Sequence, residues 1–221
     1  MAKVFFTYAQ QLYKLEYEKG LIINDKQYAE KKLKEISYYS LIGGYKQPFK
    51  HGPSGKYVRG VQFEEIVSLY YFDEELRSLF LKYILHVERQ IKSQLSYHFC
   101  EKYGDLQKEY LDVNNYNNTP NNVAGINKLI GILTSAISLP SNYSYIVHHV
   151  NAYGNVPLWV AFAIVIALRY LLSNDEFKEF KKGLKLLIKR VNKECPHISE
   201  SQIYAYMGFP SNWGKITLYR K

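Results

Sequence analysis

The chain has 221 residues, 47% of them hydrophobic, which is enough to bury one sizeable core and too many for a disordered chain. Lys and Arg (29) outnumber Asp and Glu (20), and the net charge of +9 suits a polyanionic partner such as RNA or DNA, or an acidic membrane surface. The longest apolar run, Val156 to Leu168, is too short to span a bilayer, and the opening MAKVFFTYAQQ carries no targeting pattern.

Thr7 is placed to cap a helix over Tyr8 to Lys19 that Gly20 ends, and Asp25 to cap a second one with Tyr28, Ala29, Leu33 and Ile36 on one face. Gly43-Gly44 is expected to stop the second helix. Lys46 to Arg59, reading KQPFKHGPSGKYVR, combines four Gly/Pro breakers with four basic residues and two aromatics. It is a loop or a short hairpin, and Lys46, Lys50, Lys56 and Arg59 are candidate RNA contacts.

Phe63 to Cys100 has no Pro and no Gly, and its apolar residues recur at helical spacing: Leu76, Phe80, Tyr83, Val87, Ile91, Leu95. A break near Phe72-Asp73 is expected, with Asp73 capping the second part and pairing with Arg77 at the surface. A second stripe runs Leu81, Leu85, Glu88, Lys92, Leu95, Phe99. A helix apolar on two sides is expected to be buried on two sides, so Glu88 and Lys92 are expected to form a partly buried pair facing another helix.

Tyr103-Gly104 closes that helix. Leu111 to Asn122 is an Asn-rich loop, Val123 to Leu139 returns to helical spacing, and Asn142 to Asn151 is a short helix. Its His148 and His149 point about 100° apart and suit no shared metal. Pro157 opens a core helix. Asn174 or Asp175 starts a basic amphipathic one with Phe177, Phe180, Leu184, Leu187 and Ile188 inside. Lys178, Lys182, Lys185 and Lys189 lie outside it and Lys181 at the edge, either a solvated face or an RNA-backbone contact. Ser199 caps a last helix before the ending MGFPSNWGKI. Cys100 and Cys195 belong to no CxxC or zinc spacing and read as free thiols of a reducing cytoplasm. No nucleotide, metalloprotease or hydrolase motif occurs, no repeat occurs, and no linker divides the chain. The expectation is a single all-α domain over 1–221 with no metal or cofactor.

Several pieces in order carry a resemblance: Phe6-Thr7 with Gln10-Gln11; Asp25, Ala29, Leu33 and Ile36; Tyr38-Tyr39 through Gly44-Tyr45 to Pro48-Phe49; Leu69-Tyr70 and Phe72-Asp73 with Leu76-Arg77; Glu88 to Lys92; and Pro157 to Val160. Together they look like the Abi family of bacterial abortive-infection, phage-resistance proteins of the AbiD and AbiF type, which is similar to the HEPN superfamily of helical RNases and RNA-binding proteins. The match is best over 4–172, and 207–216 resembles the tail of some Abi proteins. The resemblance implies a HEPN-like helical bundle with an N-terminal helical extension, a homodimer with Val156 to Leu172 near its interface, and a role in phage defence or a toxin–antitoxin system with RNA, an antitoxin or another defence protein as partner.

HEPN nucleases carry a Glu, three intervening residues and then a Lys or Arg, which Glu88 and Lys92 match, and an Arg, four to six intervening residues and then a His. No Arg-Asn pair exists here. Arg190 and His197 have a permitted gap, but Pro196 interrupts their helix. Metal-independent RNA cleavage needs a group to activate the 2′-hydroxyl and a cation for the phosphorane; an Arg and a His on one helix face supply both, whereas Glu88 and Lys92 alone would orient or neutralise and do not readily replace them. Three readings follow: an RNA- or partner-binding defence protein that lacks the Arg/His motif, an active RNase using Arg190 and His197, or a structural protein-interaction module.

Overall fold

Thr7 and Gln10 close a reciprocal capping box, and helix α1 runs Tyr8–Tyr13 before loosening into a wider turn, Lys14–Glu18. Gly20 follows at φ +75°, a left-handed conformation that glycine adopts without strain. Asp25 accepts from the Tyr28 N–H and starts α2, Lys26–Ile36. This helix stops at Ser37, which takes φ +77°, and not at Gly43-Gly44; a second wide turn, Tyr39–Gly43, comes after it. Among the described residues of the expected loop or hairpin are a short turn, Gln47–Phe49, and an antiparallel bridge between Lys50 and Tyr57. These positions come from a computed structural model that describes residues 5–50, 55–115 and 160–218; the expected helices at 123–139 and 142–151, with His148 and His149, lie outside them.

Helix α3 is one piece, Phe63–Tyr103, with no break at Asp73. At 1.5 Å per residue its 41 residues extend roughly 60 Å. Asp73 fits inside the helix because it is fully buried, with Tyr45 Oη donating to it at 2.8 Å and Arg77 Nε 3.5 Å away. Gly104 ends the helix at φ +98°, and α4, Gln107–Leu111, turns back so that Tyr110 meets Phe99 at 5.5 Å between ring centres.

The remaining helices are α5, Val160–Leu171; α6, Asn174–Glu194, capped by Ser173; and α7, Glu200–Tyr206, capped by Ser199. Phe180 of α6 packs on Phe80 and Tyr83 of α3, with ring centres 5.5 and 5.3 Å apart. The ending turns once more as Trp213–Leu218, and Phe209 stacks on Phe162 of α5. Ile22 hydrogen-bonds both Val61 and Phe63, which fastens the N-terminal helices to the start of α3. Buried apolar residues from Leu12 to Ile216 form one cluster. The described residues are all-α, as expected, and no helix among them is long and apolar enough to cross a membrane.

Candidate functional site

Helices α3 and α6 run antiparallel, and their side chains fix the register. Glu176 meets His86 at 2.5 Å, Gly183 lies against Leu79, Arg190 meets Glu75 at 2.7 Å, and past the end of α6 His197 meets Glu65. Arg190 and His197 are both located on this ladder.

Arg190 and His197 do not converge. Glu75 and Glu65, their partners, are ten residues apart on α3, about 15 Å of helix rise. Helix α6 ends at Glu194, Cys195 caps it, and Pro196 turns the chain away. The two residues therefore share no helix face on which one could activate a hydroxyl and the other stabilise a phosphorane.

Glu88 and Lys92 do pair, at 2.6 Å, but the Lys92 side chain is 74% exposed, so the expected buried pair is a surface pair. No described element covers the stripe of Leu81, Leu85 and Leu95, and the charges between them stay in water. An exposed i, i+4 pair of this kind contributes about 0.3–0.5 kcal/mol.

The buried charge on α3 is instead Glu65, 3% exposed. Its carboxylate accepts from His197 Nδ1 at 2.8 and 3.0 Å, from the His197 N–H at 3.3 Å and from the Gln62 N–H at 3.0 Å. A carboxylate can only accept, so Nδ1 carries the proton and Nε2 is the other edge of the ring. That edge lies against Gly60, where a Cβ would come within 3.1 Å of Nε2. Cys195 donates its thiol to the Glu65 carbonyl at 3.2 Å. Burial, then the nearby Glu65 and Glu194, push the thiol's pKa up, so it stays protonated, a structural donor and not a nucleophile. Four residues thus bind the end of α6 to the start of α3. Sequence reasoning missed Glu65, although it was detectable: Glu65, Leu69, Phe72 and Leu76 step by four, three and four, so a charge stands in an apolar row.

The basic residues fall into two groups. In the loop, Lys50 is held below the usual lysine range by burial and then by Lys46 and Lys19, three ammonium groups close together. Lys56 and Arg59 follow later in the loop, and both are exposed. On α6, Lys178 is taken by Asp175 at 2.9 Å. Lys181 donates to the Gly214 carbonyl, and burial and then Lys185 lower its pKa. Lys181 and Lys185 both lie over the Trp213 ring, at 5.7 and 5.9 Å. Trp213 also meets Tyr204, whose hydroxyl burial pushes up to about 12. Lys182 and Lys189 are exposed and have no partner among the described residues. The loop joins α3 at Gln62 and the middle of α6 sits on Leu79, so the two groups are separated by about 25 Å along α3. No cluster of His, Cys, Asp and Glu that could hold a metal occurs among the described residues, and both cysteines are free, Cys100 exposed and Cys195 buried.

These features define an all-helical protein with a basic α6 face, a buried carboxylate–histidine pair and no assembled Arg/His nuclease centre among the described residues. A family model described as Abi-like protein matches residues 31–197. That span is most of the chain, from the middle of α2 to His197, and the chain belongs to the Abi-like family. No curated protein and no solved structure matches it.

Proposed function

We propose that this Abi-family chain acts in phage defence by binding RNA along the exposed face of α6. The supporting observation is the charge pattern there: no acidic residue occurs between Glu179 and Glu194, while Lys182, Lys185 and Lys189 stay exposed. Three of the four acidic residues of α6 are engaged by a basic residue or a histidine, and the fourth, Glu179, stands at the start of the row. Asp175 holds Lys178, Glu176 holds His86 and Glu194 lies 3.9 Å from Arg190. The middle of the helix is thus left as a row of cations on the side opposite Phe180, Leu184 and Ile188, at a spacing suited to a phosphate backbone. The HEPN kinship implied by the resemblance agrees with RNA as the ligand. Cleavage by Arg190 and His197 is no part of this reading, because their partners hold them at different levels of α3.

Phosphate contacts position a nucleic acid without reading its sequence. Affinity for single-stranded RNA should therefore fall with salt, and the Lys182→Glu, Lys185→Glu, Lys189→Glu triple variant should bind every RNA tested more weakly. Its log–log salt slope should be shallower by roughly 2, about 0.7 for each phosphate that is no longer neutralised. The same variant should lose protection in a phage plaquing assay. Unchanged RNA affinity with intact helix content would overturn the proposal.

A further inference from the structure

The exposed stripe of α3 has an internal symmetry. Leu81 and Phe99, Leu85 and Leu95, and Glu88 and Lys92 are placed equally to either side of Gln90. The six positions step by four, three, four, three and four, which is the spacing of a coiled-coil seam. Gln90 itself points the opposite way, 3.5 Å from Glu176, so the seam lies on the side of α3 turned away from α6. Leu81, Leu85 and Leu95 are exposed, Leu95 by 67%, and Phe99 is half-buried. A contiguous exposed apolar row marks an interaction surface.

We propose that this seam binds a second copy of the chain, antiparallel and related by a two-fold axis passing at Gln90. In such an interface each contact occurs twice with the residues exchanged. Leu81 meets Phe99 of the second copy, Leu85 meets Leu95, and Glu88 meets Lys92. Both leucine layers become apolar on both sides, and both charges meet an opposite charge. A parallel pairing would instead set Glu88 on Glu88 and Lys92 on Lys92. Ile91 meets its own copy beside the axis, while Arg89 faces Arg89 on the outer rim, in water, where salt screens them. The end of the seam is already shaped for the contact. Lys92, Leu95, Phe99, Leu106 and Tyr110 line a cleft of about 460 Å³, and Phe99 is held there by Tyr103 and Tyr110. Leu81 of the second copy falls at this cleft. The surface differs from α5, whose Ala161, Ile164, Val165 and Leu168 are already spent on the chain's own core.

Charge reversal tests the pairing. Light scattering of the full chain at tens of micromolar should give about twice 25.9 kDa. Glu88→Lys and Lys92→Glu, each alone, set like charges opposite each other and should weaken association about tenfold or more. An equimolar mixture of the two variants restores both pairs and should restore the dimer. In a Cys100→Ser background, Leu85→Cys and Leu95→Cys should cross-link when mixed and not separately. These sites are exposed, so circular dichroism should stay that of the wild type. A wild type that remains at 25.9 kDa, a dimer indifferent to both reversals, or a mixture that fails to re-form it would each overturn the proposal. So would a monomer in which Leu95→Cys resists a maleimide, because the seam would then be covered from within the chain.

Discussion

The two halves of α3 obey the same periodicity and meet different fates. Every buried residue of the helix lies between Phe63 and Val87, and none lies between Glu88 and Tyr103. Each half also carries a carboxylate in an apolar row, with a cationic or imidazole partner. Glu65 ends up enclosed by the chain beyond α6, while Glu88 ends up in water beside Lys92. Periodicity says which side of a helix is apolar; whether that side is covered depends on what the rest of the chain brings to it. Helix α6 reaches only as far as His86 and Gln90, through Glu176, so among the described residues the cover stops where α6 starts.

The largest effect that would sharpen this contrast comes from removing Glu65. Glu65→Ala leaves two backbone N–H groups and one imidazole without their acceptor. Orphaned buried donors cost about 1–3 kcal/mol each, partly recovered by water, so a loss of roughly 3 kcal/mol is expected. For a chain of this length that corresponds to a fall in Tm of roughly 6–12 °C. A calorimetric shift of less than about two degrees would mean that the pair adds nothing to the join between α6 and α3.

Next come the two glycines at the ends of the same helix. Gly60 and Gly104 both have left-handed backbone, at φ +95° and +98°, so alanine is strained at either. They differ in what surrounds them. A Cβ at Gly60 would press on His197 at 3.1 Å, whereas at Gly104 it would meet the flexible Glu109 side chain at 3.6 Å. Gly60→Ala should cost about 2 kcal/mol and Gly104→Ala about 1 kcal/mol. Urea midpoints would compare them, and equal costs would remove the evidence that His197 is tightly held.

Much of the fold could be read from the sequence. The caps at Thr7, Asp25 and Ser199, the stop at Gly104 and the inward face of α6 are local signals, set by one residue's hydrogen bonds or by spacing alone. The errors came where a long-range partner decided the outcome. Asp73 looked like a cap because Asp favours caps; Tyr45, 28 residues away, satisfies it inside the helix instead. Glu88 and Lys92 looked buried because their row is apolar, and no spacing rule reports whether another helix arrives. For Arg190 and His197 the local signal at Pro196 already argued against a shared turn, and the structure adds that two separate carboxylates on α3 hold them apart. Glu65 was open to the argument applied to Glu88, yet its partner lies 132 residues further on.

A smaller effect tests the other histidine–carboxylate pair, His86 with Glu176. Glu176 is held below the usual carboxylate range first by its hydrogen bonds to Ser173 and then by His86. A lowered folded value means that the contribution is complete above the ordinary carboxylate range and is lost as pH falls through the lowered value. Ser173→Ala removes the hydroxyl cap, and should cost about 1 kcal/mol at neutral pH. Denaturant titrations of wild type and variant should draw together below about pH 4, where unfolded Glu is protonated. A constant gap down to about pH 2 would separate the cap from the Glu176 charge.

The smallest effect is the one the apolar stripe alone would have made large. If Glu88 were enclosed, removing Lys92 would strand a buried charge and cost about 3–5 kcal/mol. In water the same change removes one exposed pair, worth about 0.3–0.5 kcal/mol, and replaces Lys with Ala, a slightly better helix former. Lys92→Ala should therefore move Tm by less than about 2 °C when measured dilute enough to keep the chain monomeric. The Glu88→Ala, Lys92→Ala double variant should lose no more than the sum of the singles, since water screens what coupling there is. Concentration is the informative variable. A Lys92→Ala penalty that is absent in dilute protein and grows as the chain is concentrated would arise between two copies, where Lys92 meets a second Glu88. A penalty of several kcal/mol already present at high dilution would mean that Glu88 is enclosed within one chain, and the contrast between the two halves of α3 would fail.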